Sequence, residues 1–273
     1  VSWLEAIVLG IVQGLTEFLP ISSTGHLRIV PAFLGWEDPG AFFTAVTQLG
    51  TMAAVVIYFR DDLARIVKTW TLSLWRKPLR TELDARMGWY IILATIPISI
   101  FGLAFRNQIE TGARSLYLIG SMLILLGIIL WISEKVGSMT RSVDQVGLKD
   151  AIGVGLAQAL ALIPGVSRSG STITAGLFLG LERDAAARFS FLLSVPAVVL
   201  SGLFGLTEIF RGDDQDIGLD AILIATVFAF LAGYAAIAFL LRYLVSHSTL
   251  IFVIYRIGLG AIVLGLAGAG VIS

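Results

Sequence analysis

Two short polar stretches interrupt an otherwise apolar chain, and each carries side chains able to do chemistry. The first runs Gln13-Gly14-Leu15-Thr16-Glu17-Phe18-Leu19-Pro20-Ile21-Ser22-Ser23-Thr24-Gly25-His26. Glu17 and His26 are ionisable groups within an apolar segment, where such groups are costly and by default mark a functional site. Ser23 and His26 are three apart, so a helix restarting near Ser22 places them on one face. A hydroxyl beside an imidazole is a candidate nucleophile and base. The alternative is a Ser22-Ser23-Thr24 helix cap with His26 bonded to backbone. The second stretch runs Pro164-Gly165-Val166-Ser167-Arg168-Ser169-Gly170-Ser171-Thr172. Glycines and hydroxyls before a new helix leave backbone N–H groups free for an anion. Arg168 adds a planar, permanently charged fork suited to phosphate. Its alternative role is as the structural partner of Glu17, and both roles are compatible.

The elements that must position these groups follow from composition. Of 273 residues, 57% are hydrophobic and only 14% charged, about half the charged share of a soluble domain. Mean hydropathy is +0.90. This excludes a disordered chain, a nucleic-acid binder, a coiled coil and an ordinary cytosolic enzyme. The absence of cysteine removes disulfides, thiolate metal sites and cysteine nucleophiles. The class is an all-α, polytopic membrane protein. Six stretches are long and apolar enough to span: residues 39–59, 87–105, 115–132, 189–207, 221–241 and 250–272. The halves of 6–35 and 151–181 are too short to span alone, and Pro20 and Pro164 break each in the middle. Both read as re-entrant helix hairpins rather than single kinked spans, since irregular backbone at membrane depth survives only inside protein or beside a water-filled cavity. Residues 1–15 lack a basic start and carry Glu5, so they read as mature structure and not as a signal peptide.

Sliding the chain by 145 positions aligns the two hairpins without a gap. Ala6-Ile7, Gly10, Gln13, Leu15, Ser22, Gly25, Phe33-Leu34-Gly35 and Glu37 meet identical residues at 151–182. Three full spans separate the hairpins, so the second must enter from the opposite face. The expectation is one transmembrane domain over 1–273, built from inverted repeats at 1–133 and 147–273, with its site near the midplane where the repeats meet. Basic residues set the orientation. Residues 60–86 are rich in Arg and Lys and belong inside, with Lys135, Arg141, Lys149, Arg183, Arg188 and Arg242. Arg106, Arg114 and the acidic loop of Arg211, Asp213, Asp214, Asp216 and Asp220 fall outside. Trp70 and Trp75 suggest an interfacial amphipathic helix. Arg256, near the start of the last span, is expected to snorkel to the cytoplasmic interface, and the glycines of 258–270 to serve close helix packing.

Joined through the repeat, the two centres make one pocket with a carboxylate, an imidazole, hydroxyls, an Arg and two helix N-termini. This fits a phosphate or diphosphate. Glu17 opposes an anion unless a divalent cation bridges them; Mg²⁺ or Ca²⁺ suits oxygen ligands, with Gln13, one turn earlier, as a further one. A polar pocket in an apolar body suggests a substrate part lipid and part phosphate.

Residues 13–26 resemble the signature of the bacterial undecaprenyl-diphosphate phosphatase family of the bacitracin-resistance type. Residues 164–172 resemble its second signature, and Ile254-Tyr255-Arg256 its C-terminal one. The resemblance covers the whole chain. It implies an enzyme of the bacterial cytoplasmic membrane that hydrolyses undecaprenyl diphosphate to undecaprenyl phosphate and inorganic phosphate. This recycles the lipid carrier for peptidoglycan synthesis and confers bacitracin resistance. It implies catalytic roles for Glu17, Ser23, His26 and Arg168, and substrate binding by Ser22, Thr24, Gly25, Ser167, Ser169, Gly170 and Thr172. It also implies a divalent cation on Glu17 and Gln13, although Gln13 stands where many members have Glu, so one negative charge is missing. The expected partners are the polyprenyl diphosphate and membrane lipids, with no nucleic acid and with a homodimer left open. The active site is expected to open toward the outer face. Chemically, Ser23 is expected to attack the terminal phosphorus with His26 as base; His26 as nucleophile, or directly activated water, are the rivals. A polyprenyl-phosphate flippase or transporter is the alternative function, supported by the inverted repeat but needing no nucleophile.

Overall fold

The computed structural model describes residues 1–105, 115–209 and 218–272. Arg106, Arg114, Arg211, Asp213, Asp214 and Asp216 therefore lie outside the described residues. Eleven α-helices follow one another among those described: α1 (Trp3–Phe18), α2 (Ser23–Leu34), α3 (Gly40–Tyr58), α4 (Arg60–Trp75), α5 (Leu83–Ala104), α6 (Leu116–Val136), α7 (Leu148–Ala159), α8 (Arg168–Phe178), α9 (Arg183–Ile209), α10 (Leu219–Ser246) and α11 (Leu250–Gly268). The fold is all-helical, as expected, and the chain is a multi-pass membrane protein. Among the described residues, α5, α6, α10 and α11 are each long and apolar enough to cross a bilayer. The α3–α4 pair, bent by 76°, makes a fifth candidate span if counted as one.

Local signals start and stop these helices. Ser2 caps α1 and Glu5 bonds back to it, closing a capping box. Proline at position 20 forbids continuation of α1, and α2 opens on Ser22. Asp150 does the same work for α7, accepting from the backbone N–H of Gly147 at 2.8 Å. Gly35 and Gly180 then end the two hairpins in the left-handed region, at φ 67° and 85°.

The hairpins exchange packing partners. The first helix of hairpin one, α1, lies along α10, and the first helix of hairpin two, α7, lies along α5. Matched glycines permit both approaches. A Cβ on Gly10 would meet the Ala225 carbonyl oxygen at 2.4 Å, and one on Gly155 would meet Cα of Ala94 at 2.6 Å. The main apolar core joins Phe18 and Ile21 of the first turn to Phe189, Phe191 and Leu193 of α9 and to Ile173 and Leu177 of α8. The glycines near the C-terminus only partly fulfil the packing role expected of them. Gly260 sits against Gly120, whereas Gly258, Gly265 and Gly268 face open space. On α4, Trp75 is exposed, while Trp70 turns inward against Gly88 and the ring of Trp89.

Candidate active site

The two hairpin turns meet in the interior. Each second helix is capped by a serine in a conformation unusual for a non-glycine residue: Ser22 at φ 78° and Ser167 at φ 73°. Such backbone costs of order 1–3 kcal/mol and persists where surrounding structure holds it. Each serine hydroxyl accepts from a glycine N–H three residues on, Gly25 at 3.4 Å and Gly170 at 3.1 Å. The turns are tied directly, since the Ser169 hydroxyl donates to the Leu19 carbonyl at 2.9 Å.

Arg256 ties them again. The expected snorkelling does not occur: Arg256 is 0% exposed. Its guanidinium donates to the Pro20 carbonyl at 2.9 Å in the first turn. It also reaches the Gly165 and Val166 carbonyls in the second, at 2.9 and 3.0 Å. Its Nε reaches the Leu123 carbonyl of α6 at 3.3 Å. The residue enters the protein because α11 presents it to two irregular turns whose carbonyls lack helical donors. Those carbonyl dipoles take the place of a counter-ion.

At this junction Glu17, 5% exposed, is the hub. One carboxylate oxygen accepts from Arg168 Nη2 at 2.9 Å and from Gln48 Nε2 at 3.5 Å. The other accepts from the Ser23 hydroxyl at 2.7 Å and from Gln13 Nε2 at 3.2 Å. The ion pair anticipated between Glu17 and Arg168 is thus present. Only Nη2 of Arg168 is used, and its Nε and Nη1 are buried with no protein partner. A buried guanidinium with free N–H groups is a ready receptor for phosphate oxygens.

The Ser23–His26 pair expected from spacing is not formed. Ser23 Oγ faces Glu17. His26 turns back along the first turn of α2, and its Nδ1 lies 2.7 Å from the Ser22 carbonyl oxygen. Its Nε2 lies 2.7 Å from the Tyr255 hydroxyl, and the two rings are parallel within 8°. The remaining expected residues divide by exposure. Thr24 is exposed and Ser23 half-buried at the open side. Ser22, Ser169 and Thr172 are fully buried. The Ser169 hydroxyl is engaged with Leu19. That of Thr172 is engaged with the Arg168 carbonyl at 2.7 Å and the Ser190 hydroxyl at 2.6 Å. Ser167 and Gly170 shape the start of α8.

A family model described as bacitracin resistance protein BacA matches residues 6–262. The chain belongs to the BacA family. Members similar to it include the undecaprenyl-diphosphatase of a Nocardioides species, 52% identical over 273 residues covering 100% of this chain and 99% of that one. The undecaprenyl-diphosphatase of Mycolicibacterium smegmatis is 53% identical over 274 residues, with the same coverage. That of Chlorobium chlorochromatii is 53% identical over 284 residues, again covering 100% and 99%.

In this BacA-family site, sequence reasoning missed Gln48 and Tyr255. Gln48 is a lone amide in the apolar helix α3, and that isolation was its only signal. Tyr255 precedes Arg256 in the third signature, but nothing in spacing links it to His26, 229 residues away. The site also bears on the cation. Among the described residues no three His, Cys, Asp or Glu side chains gather as a metal cluster. Glu17 is the carboxylate at hand, and the buried Oε1 of Gln13 lacks a partner. One carboxylate and one orphaned amide oxygen fit a cation that takes most of its ligands from substrate phosphate and water, as Mg²⁺ commonly does. They do not make a closed protein cage.

Proposed function

We propose that the chain is an undecaprenyl-diphosphatase, hydrolysing undecaprenyl diphosphate to undecaprenyl phosphate and inorganic phosphate and so recycling the carrier lipid for peptidoglycan synthesis. The observation that carries the chemistry is the half-used guanidinium of Arg168 beside the Glu17–Ser23 hydrogen bond. In this reading Arg168 Nε and Nη1 hold the oxygens of the terminal phosphoryl group and stabilise charge during transfer. Ser23 Oγ attacks the terminal phosphorus, and its proton passes to Glu17. The bond from phosphorus to the bridging oxygen breaks, and undecaprenyl phosphate leaves. Water then cleaves the phosphoserine and releases phosphate. Glu17 replaces His26 as the base of the first step, because Glu17 is the group that Ser23 touches. Gln13 and Glu17 would hold a shared Mg²⁺ or Ca²⁺, which when bound neutralises charge on the diphosphate.

The architecture belonging to this reading is one domain over 1–273, with six full spans (α3, α5, α6, α9, α10 and α11) and two re-entrant hairpins. The repeats 1–133 and 147–273 are inverted. Supporting it are the matched strained serines and the exchanged packing of α1 and α7. The basic stretch at 60–86 faces the cytoplasm, and the pocket opens outward from the cytoplasmic membrane.

Purified protein in detergent with Mg²⁺ should release phosphate from undecaprenyl or farnesyl diphosphate. Rapid acid quench with terminally labelled substrate should leave label on the Ser23 peptide. No release by the intact protein defeats the enzyme reading. Label on His26 defeats the serine step.

A further inference from the structure

Tyr255 lies on α11, outside both hairpins, yet its hydroxyl is the partner of the one imidazole in the site. The carbonyl of Ser22 can only accept, so Nδ1 of His26 carries a proton. In the neutral ring Nε2 is then a lone pair, and the Tyr255 O–H donates to it. The strained φ of Ser22 helps aim this carbonyl, which also accepts the His26 backbone N–H at 3.1 Å. Both ring nitrogens are therefore engaged, and His26 has no free atom to offer Ser23 or water.

The two partners differ in access. His26 is 5% exposed and Tyr255 is 44% exposed. The phenol is the less buried of the pair. Its hydroxyl is the kind of donor an oxyanion takes readily. Rotation of the phenol off Nε2 would leave the Nδ1 bond to Ser22 intact, so the imidazole would keep its tautomer and orientation while gaining a free lone pair.

We propose that Tyr255 is a positioning residue that acts through His26. Its hydroxyl fixes the imidazole and occupies Nε2. When a phosphate oxygen takes that hydroxyl, Nε2 is released to accept a proton. The natural use of such a lone pair is the second step, hydrolysis of the phosphoserine, since the first proton goes to Glu17. The kinetic part rests on the phosphatase reading; the contact itself does not.

The test uses the full chain in detergent with His247→Asn, which leaves His26 as the sole histidine. Nitrogen-15 NMR of the imidazole should show a protonated Nδ1 and a hydrogen-bonded, unprotonated Nε2. Tyr255→Phe keeps the ring stack and removes only the hydroxyl, and should move the Nε2 resonance toward that of a free lone pair. Farnesyl diphosphate added to Tyr255-containing protein should move it the same way. In turnover, Tyr255→Phe should lower kcat about tenfold, the scale of one positioning hydrogen bond. The same change in a His26→Gln background should have no further effect on kcat, because on turnover the tyrosine acts through the histidine, and the lost phosphate contact should read only in KM. An unmoved Nε2 resonance in Tyr255→Phe, or kcat losses that multiply in the double variant, overturns the proposal. Failure of the phosphatase reading would instead appear as no phosphate release by the parent protein, with the NMR result still readable.

Discussion

In the first hairpin the residue that opens the second helix is Ser23; in the second hairpin the residue at the same place, 145 positions on, is Arg168. Around these two positions the backbones agree closely. Ser22 and Ser167 share a positive φ, and Gly25 and Gly170 donate to them alike. The side chains have diverged. The first turn adds Glu17 before its break and His26 after it. The second has Leu162 and Ser171 there, and its hydroxyls are turned into the protein. The difference teaches that what the two hairpins share is a turn able to present backbone N–H groups and one leading side chain. In the proposed mechanism, catalytic capacity comes from loading the two turns with unlike groups, a nucleophile on one and a cation on the other.

The sharpest way to break that comparison is to strip each leading residue in turn. Ser23→Ala removes the proposed nucleophile, and phosphate release should fall by at least about 10⁴-fold, near the level left by binding alone. Arg168→Ala should cost about 10³-fold, the scale of losing a phosphoryl-stabilising Arg. Arg168→Lys should recover little, because an ammonium cannot bond Glu17 and two phosphoryl oxygens in one plane. Equal, small losses in both alanine variants would mean that the two turns are not divided into nucleophile and cation.

A second contrast concerns what holds each hairpin. Arg256 serves both turns from inside, whereas Arg141 clamps only the mouth of the second. Arg141 bonds the Asp150 carboxylate at 2.9 and 2.6 Å and the Leu179 carbonyl at 2.9 Å. Asp150 in turn holds the Arg141 guanidinium above its ordinary pKa. Arg256→Met would leave the carbonyls of Pro20, Gly165 and Val166 buried without that donor. We expect a loss of about 3 kcal/mol in stability, read as a lower Tm in detergent, together with lost activity. The Arg141 side chain is 33% exposed. Its partner Asp150 is 2% exposed and would keep only the Gly147 N–H, so Arg141→Met should also lower Tm, but it should spare activity. Equal losses of activity in the two variants would contradict the assignment of Arg256 as the tie between the turns.

Much of this was legible before any coordinates. Glu17, Ser23 and Arg168 stood out because charge and hydroxyl within apolar runs are rare and costly, and the offset of 145 predicted that the two runs would meet. Arg256 was misread because an Arg near the end of a span usually reaches water, and sequence does not reveal that two turns need donors at that depth. The Ser23–His26 pair failed for a local reason. Helical spacing places two side chains on one face but does not choose between a side-chain partner and the carbonyl four residues back. Tyr255 and Gln48 cannot be tied to the site from sequence because their partners come from other helices, and only packing brings them together.

The finest contrast is between the matched amides Gln13 and Gln158. Each is buried, and each has an Oε1 with no partner. Gln158 gives its N–H to the Ala94 carbonyl at 3.1 Å, because the position one turn on is Leu162. Gln13 gives its own to Glu17. The same amide is thus a helix tie in one hairpin and part of the carboxylate's setting in the other. Gln13→Glu places a second carboxylate beside the first, and a cation shared with the diphosphate would gain a charged ligand. Half-saturating Mg²⁺ for phosphate release should fall roughly fivefold, since cation affinity follows ligand charge. Without cation the variant should be less active than the parent, because two adjacent carboxylates repel each other and the substrate. Gln158→Glu buries an acid with no cation nearby, so it should lower Tm and leave the Mg²⁺ dependence unchanged. If both changes shift the Mg²⁺ requirement alike, Gln13 is not a ligand, and the cation's place in the site must be sought from the substrate side alone.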